Sequence, residues 1–361
     1  MSEGAHNFLR RFFAPVQYSN SCQLYSHFLW ITEGRIMTRA TNTDFKPTKA
    51  TPVLSIRITR RACLGMAALA LAIVAALPLT PALAAPFIVA HRGGTGDTPE
   101  NTLQAFSTAL ENGADALWMT VQVTKDGVPV LYRPADLSSL TEGQGHLDEI
   151  TLNDLQKLNA GYSFSRKDAS GQLIYPYRAK PLRIPTLREA LDTVPRNVPI
   201  MLDMKQTPAA PLVEAVARVL DDANAWSRVR LYSTDSEAIQ LMKAHREAQV
   251  FETRDATRNR LVDLSLGGTC DNPPPAGSWV GIELHRQVEV IEHFTLGTGV
   301  SRVDARWWTP AAVKCFRTNG DVKIVAFGVD SADAYAVASE LGIDAVMTDS
   351  PRAMRIEKKS R

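Results

Sequence analysis

A short apolar run, Phe87-Ile88-Val89-Ala90, ends in His91 and Arg92, and Glu100 follows shortly after. Imidazole is the side chain that exchanges protons near neutral pH. A guanidinium is a planar fork matched to phosphate oxygens. Further along, Asp203 and Lys205 stand two apart in VPIMLDMK (198–205), so on a strand both point to one face. A lysine enclosed by a sheet needs a counter-charge, which a phosphate or Asp203 would supply. Together these residues suit a phosphate ester and a proton transfer. Each also has a plain structural explanation. His91 can be a packed, hydrogen-bonded histidine, Arg92 a salt bridge to Glu100, and Asp203 with Lys205 a mutual ion pair.

The elements that must position them alternate. Apolar runs at 87–91, 115–123, 198–205, 229–233, 249–253, 279–285, 302–307, 322–329 and 344–348 read as strands. Helical patterns such as NTLQAFSTALENG, PTLREALDTV, PLVEAVARVLDDANAW, EAIQLMKAHRE, PAAVKCFRTNG and ADAYAVASELG lie between them. Gly113, Gly320 and Gly342 sit where helices end. This alternation predicts a parallel sheet with crossover helices, and the length fits an α/β (β/α)8 TIM barrel over residues 86–361. An open, doubly wound sheet is the alternative, but no Gly-x-Gly-x-x-Gly follows the first strand, which argues against a dinucleotide site. There are nine strand candidates for eight places, so one of 279–285 and 302–307 is expected to be an extra. The second strand leads into a β-hairpin insertion rather than a helix. Asp126-Gly127 reads as a two-residue turn, which places Thr120 opposite Arg133, with Trp118 diagonal to it on the same face.

The chain has 361 residues, 40 Lys plus Arg against 38 Asp plus Glu, and four cysteines. Near-neutral charge removes the usual footprint of a nucleic-acid binder, and four cysteines are too few for a disulfide scaffold. Residues 62–90 carry no Asp, Glu, Lys or Arg and follow Arg57, Arg60 and Arg61. With Pro78, Pro81 and Ala82-Leu83-Ala84 behind it, segment 57–85 has the layout of an export signal cleaved after Ala84 or Ala85. Thr59-Arg60-Arg61-Ala62-Cys63-Leu64 is similar to a twin-arginine signal. An uncleaved membrane anchor is the other reading, since the apolar run is nearly long enough to span. Residues 1–56 form a leader outside the fold, or the start lies near Met37. The expectation is a periplasmic or secreted protein with no stable membrane span after cleavage. There Cys270 and Cys315 either pair or stand apart as small apolar residues.

The motifs His91-Arg92-Gly93, Pro99-Glu100-Asn101-Thr102, Gly113-Ala114-Asp115, Thr124-Lys125-Asp126-Gly127, Ile184-Pro185-Thr186-Leu187 and Thr348-Asp349-Ser350-Pro351 resemble, in order and spacing, the glycerophosphodiester phosphodiesterase family. The resemblance runs from about Ile88 to Pro351. It implies a TIM barrel, a Ca²⁺ or Mg²⁺ ion, and hydrolysis of small-molecule glycerophosphodiesters to glycerol 3-phosphate and an alcohol. The chain departs from the family at its metal site. The family's Glu-x-Asp on strand two is Trp118 and Thr120 here, its second catalytic His and following Asp are Arg133 and Pro134, and its third carboxylate is Asp203. Hard cations need several oxygen ligands, normally including carboxylates, so Asp203 is a weak metal candidate and no tight divalent site is expected. Arg133 would then put a fixed positive charge where the ion's would be. Trp118 would either fill the vacated volume or stack under Arg133. His285 is a candidate second histidine. Of the consecutive Trp307 and Trp308, one belongs in the core and the other there or at the mouth.

The leading expectation is a hydrolase with a weak or absent metal site. In it His91 and Arg133 do catalytic work, and Arg92, Lys205, Glu100 and Trp118 bind substrate. The alternatives are a non-catalytic phosphodiester-binding protein on the same fold, and a metal-independent phospholipase or lyase that makes a cyclic phosphate.

Overall fold

The computed structural model describes residues 84–359. The leader 1–56 and most of the export segment lie outside the described residues.

Eight parallel strands form a nearly closed barrel: β1 Phe87–His91, β2 Ala116–Val123, β3 Ile200–Met204, β4 Val229–Tyr232, β5 Gln249–Val250, β6 Trp279–Glu283, β7 Lys323–Phe327 and β8 Ala345–Thr348. The sheet runs β5-β4-β3-β2-β1-β8-β7-β6. β1 pairs with both β2 and β8, which excludes the doubly wound order. Between β5 and β6 the Glu252 backbone N–H donates to the Trp279 carbonyl at 2.8 Å. The outer layer is α1 Leu103–Glu111, α2 Leu187–Thr193, α3 Ala209–Asp222, α4 Ser236–Lys243, α5 Arg254–Gly267, α6 Pro310–Phe316, α7 Ala332–Glu340 and α8 Pro351–Lys359. Local chemistry sets where these helices begin. Thr102, Thr186, Asp235, Thr253, Thr309 and Ser331 each cap an N-terminus through the side-chain oxygen, and Thr186 forms a capping box with Glu189.

Strand alternation divides the apolar residues into two layers. On β2, Leu117, Met119 and Val121 face the helices, while Trp118 points inward to Tyr232, Phe251 and Phe327. The barrel centre is therefore an aromatic plug, as expected of a TIM barrel whose interior is packed core.

Of the two runs competing for one place, 279–283 is the barrel strand. The other belongs to a long antiparallel ribbon, His285–Phe294 with Gly297–Arg306, inserted after β6. Trp308 is core, in edge contact with Phe316 at 5.0 Å, and Trp307 packs partly buried on the same cluster.

The hairpin after β2 exists, but its register differs by one residue from the two-residue-turn expectation. Val121 pairs with Leu131, and the Tyr132 backbone N–H donates to the Thr120 carbonyl, so Thr120 faces Tyr132 and not Arg133. The reason lies in the turn. Thr124 and Val128 close a three-residue loop, Lys125-Asp126-Gly127, with Gly127 at φ 78° in the left-handed region that glycine enters without cost.

Cys270 and Cys315 are bonded, tying the segment after α5 to α6. Closing a loop of 45 residues restricts the unfolded chain. Reduction is expected to lower stability by ~2–4 kcal/mol, measured by urea unfolding with and without a thiol reductant. Among the described residues no helix is long and apolar enough to cross a membrane.

Candidate active site

The polar residues converge at the mouth formed by the C-terminal ends of the strands, the face where such barrels carry chemistry. β1 ends in His91, and its Nδ1 lies 2.6 Å from Asp349 Oδ1, just past β8. The contact spans 258 residues of sequence and leaves Nε2 as the nitrogen available to a substrate. The bond to His91 holds the Asp349 carboxyl below the usual range. The turn after His91 is tight. Arg92 has φ 49°, Gly93 φ 85° and Gly94 φ 92°. A Cβ on Gly93 would lie 2.7 Å from the Ala105 side chain, so only glycine lets the turn press onto α1. Left-handed non-glycine residues such as Arg92 store strain of a kind found at functional sites.

The Pro-Glu-Asn-Thr segment has a mechanical explanation. Glu100 binds Arg92 at 2.5 Å. Asn101 adopts φ 56°, its backbone N–H donates to the Arg92 carbonyl, and its Oδ1 accepts from the Thr120 backbone N–H at 3.0 Å. Thr102 caps α1. One tetrapeptide thus orients the guanidinium, anchors β2 and starts the helix.

On β3, Asp203 is buried and Lys205 is half-buried. Their charged atoms are 3.5 Å apart, and Lys205 Nζ also donates to Thr234 Oγ1 at 2.9 Å. Burial pushes the Asp203 carboxyl up to about 6, opposed by Lys205, then Arg92 and His91. Lys205, Arg92 and His91 therefore lie within electrostatic reach of Asp203. On the far wall Arg254 pairs with Glu283 at 2.5 Å beside the Tyr232 hydroxyl, which burial pushes up to about 12. A cleft of about 310 Å³ opens next to Lys205, lined by Gln122, His146, Thr234 and Asp235.

The raised carboxyl makes a pH prediction. The folded state disfavours ionised Asp203, so that part of stability is complete at and below the ordinary carboxyl value, near 3.8, and is lost as pH rises to about 6. An Asp203→Asn variant is expected to lack this decline. Urea midpoints of both proteins from pH 4 to 7 measure it.

Of the residues singled out from sequence, His91, Arg92, Glu100, Asp203 and Lys205 come together. Arg133 makes no contact with any of them. It is exposed, beyond the last hairpin pair, and among the described residues its guanidinium has no hydrogen bond, ion pair or ring contact. Only its carbonyl is held, by Gln122 Nε2 at 3.1 Å. The stacking of Arg133 on Trp118 is not formed. Trp118 is 2% exposed and lies against Tyr232 (5.0 Å) and Phe327 (5.2 Å) at the barrel centre. It fills volume, and as a direct substrate contact it is sealed off. His285 begins the ribbon and lines a different pocket, with Trp308 and Asp333. Asp349, Arg254 and Thr234 received no role from sequence. Asp349 stood in a recognisable Thr-Asp-Ser-Pro motif, but its partner is revealed only by barrel closure.

The family's cation does not fit this donor set. The position of its first carboxylate is an indole in an aromatic cluster. Thr120 at the second is neutral, 0% exposed, and its hydroxyl has no partner. Asp203 at the third faces an ammonium group. Among the described residues no three His, Cys, Asp or Glu side chains converge as a metal cluster.

Comparison with known proteins agrees with this architecture. The model of the glycerophosphoryl diester phosphodiesterase family matches residues 91–353. The chain is 47% identical over 268 residues to the uncharacterized protein Rv2277c of Mycobacterium tuberculosis, covering 74% of this chain and 88% of that one. The crystal structure of that protein's glycerophosphoryl diester phosphodiesterase domain superposes with a TM-score of 0.70 at 44% identity, covering 76% of this chain and 99% of the domain. An Oleispira antarctica phosphodiesterase, solved with the product sn-glycerol-3-phosphate, shares the fold at 21% identity and a TM-score of 0.57, covering 76% of this chain and 97% of that one.

Proposed function

The chain belongs to the glycerophosphoryl diester phosphodiesterase family, whose members act on small-molecule phosphodiesters, and we propose that it cleaves glycerophosphodiesters without a divalent ion at the family position. The observation that carries this reading is the His91–Asp349 pair, 2.6 Å long, at the barrel mouth whose Asp203 also feels Arg92 and Lys205. Arg92 and Lys205 hold the phosphate oxygens and offset the charge that builds as phosphorus becomes five-coordinate. His91 Nε2 takes the proton of the attacking hydroxyl, from water or from the neighbouring glycerol carbon. The phosphorus–oxygen bond to the alcohol breaks, and the imidazolium returns the proton to the departing alkoxide. Asp349 fixes the tautomer and stabilises the imidazolium, as carboxylates do for catalytic histidines generally. The polar cleft beside Lys205 receives the alcohol. Acid–base catalysis of this kind contributes ~10²–10⁴-fold.

The test is an assay on glycerophosphocholine with and without a chelator, followed by ³¹P NMR. Turnover that survives the chelator is expected. Activity abolished by chelation and restored by Ca²⁺ or Mg²⁺ defeats the metal-free reading. An early cyclic phosphate identifies the glycerol hydroxyl as nucleophile, and direct glycerol 3-phosphate identifies water.

A second reading, a phosphodiester-binding protein without turnover, draws on the pairing of Arg92 and Lys205 with carboxylates and on the exposure of Arg133. Saturable binding with no product would favour it. Export through segment 57–85 is likewise our inference, from its apolar run and basic flank. Fractionation and the mass of the mature N-terminus test it, with Ala85 or Pro86 expected as the first residue.

A further inference from the structure

The opposite mouth of the barrel carries a second site. A cavity of about 570 Å³ opens at the N-terminal ends of the strands, lined by Phe87, Val89, Ala116, Met201, Trp279 and Ala345 among others. A TIM-barrel interior is ordinarily filled by side chains. Here the aromatic plug occupies the centre, and the alanines at 116 and 345 leave the space beneath it unfilled by the described residues. The volume falls in the range of small-molecule sites, and the walls are mostly apolar.

The charges around it are not equivalent. At the rim Arg317 pairs with Asp344 at 2.7 Å, and Lys323 with Asp321 at 3.0 Å and Asp344 at 3.4 Å. Arg230 is different: it is not one of the residues that line the cavity but stands beside two that do, Met201 and Trp279. It stands two residues before Tyr232 on β4, so it shares the inward face, and its register neighbour is the cavity-lining Met201. Its guanidinium carbon lies over the Trp279 ring, 4.1 Å from the centroid. Its one hydrogen-bond partner among the described residues is Gln249 Oε1, at 2.6 Å. No carboxylate of the described residues is within ion-pair distance of it. A half-buried cation without a counter-ion is costly, and here burial alone pulls its pKa down to about 10. A ligand that brings an anion to Arg230 and an apolar body to the cavity would relieve that cost and bury the exposed apolar walls, including Phe87 at 60% exposure.

We propose that the N-terminal mouth of the barrel binds a single-chain amphiphile with a carboxylate head, its head on Arg230 and its chain between Trp279, Met201 and Val89. This site is separate from the catalytic mouth and independent of the reaction assigned there. The experiment is calorimetric titration of the full chain with dodecanoate, and with dodecyltrimethylammonium as the same chain bearing the opposite charge. Dodecanoate is expected to bind saturably at one site, at least about tenfold more tightly than the cation, as one charge-assisted pair would give. Arg230→Gln should remove that preference. Ala345→Leu, which fills the cavity, should weaken dodecanoate binding without altering turnover of glycerophosphocholine. No saturable binding of dodecanoate, equal affinity for the two chains on the unmodified protein, or an Arg230→Gln variant that keeps the preference would each overturn the proposal.

Discussion

His91→Ala is expected to lower kcat/KM on glycerophosphocholine by ~10²–10⁴-fold, or about 3–5 kcal/mol of transition-state stabilisation. The size follows from His91 being the imidazole that a carboxylate, Asp349 at 2.6 Å, orients at the mouth. Asp203 is engaged with Lys205, His285 lies in another pocket, and Arg133 cannot give up a proton. The loss should appear in kcat, because the phosphate is held by Arg92 and Lys205. Asp349→Asn is expected to be weaker but of the same kind, about tenfold or more in kcat with KM nearly unchanged, since Asp349 acts on substrate only through the imidazole. Both side chains are partly exposed, at 22% and 48%, so unfolding temperatures should stay close to the parent. Arg92→Ala is expected to show the opposite split, a raised KM, since it removes a phosphate contact and leaves Glu100 unpaired. A His91→Ala protein with near-parental kcat would remove the histidine from the mechanism. A residue that merely packs would lower the unfolding temperature and leave kcat intact.

The parts of this architecture that the sequence made legible are those governed by local rules. Strands such as Phe87–His91 and Ala116–Val123 are short apolar runs with defined ends, and the helices between them carry side-chain caps at their starts. What escaped has physical causes. α5, Arg254–Gly267, fully buries only Thr257 and Leu261 and leaves Leu266 exposed, so its apolar residues mark no clear stripe. Beside the packing of Leu261 and Leu264 it is held by Arg260, whose guanidinium binds Glu252 at 2.7 and 2.9 Å, and periodicity does not register such a contact. The hairpin register slipped by one because Asp-Gly suits both a two-residue turn and the second half of a three-residue loop, and the identity of the closing pair is a tertiary matter. At the site, His91, Arg92 and Glu100 were readable because they lie within ten residues of one another. Asp349 was not, because its partner is brought near only when β8 closes against β1. The same one-residue difference puts Tyr132, and not Arg133, opposite Thr120.

Trp118→Ala is expected to be the most destabilising single change in the barrel. The indole is 2% exposed, contacts three aromatic rings at 5.0–6.3 Å, and packs in the cluster that fills the barrel interior. Large-to-small changes of this kind cost ~3–5 kcal/mol, a large share of the ~5–15 kcal/mol that holds a domain together. Trp118→Glu should be worse in metal-free buffer, because it adds an uncompensated carboxylate to the cavity it creates. The informative protein is the double variant Trp118→Glu with Thr120→Asp. It places two carboxylates on the inward face of β2, next to Asp203, which pairs in register with Thr120, and so assembles the oxygen-rich set a hard cation requires. Its unfolding temperature should be low in chelator and rise with Ca²⁺, since an ion that binds only the folded state stabilises it by mass action. The parent should show no such rise. If the double variant is indifferent to Ca²⁺, the inward face of β2 is not where a cation would sit in this barrel. If the parent itself is stabilised by Ca²⁺ and loses that response on Asp203→Asn, the indole has not displaced the ion, and the chemistry assigned to His91 and its cationic neighbours must be shared with a metal.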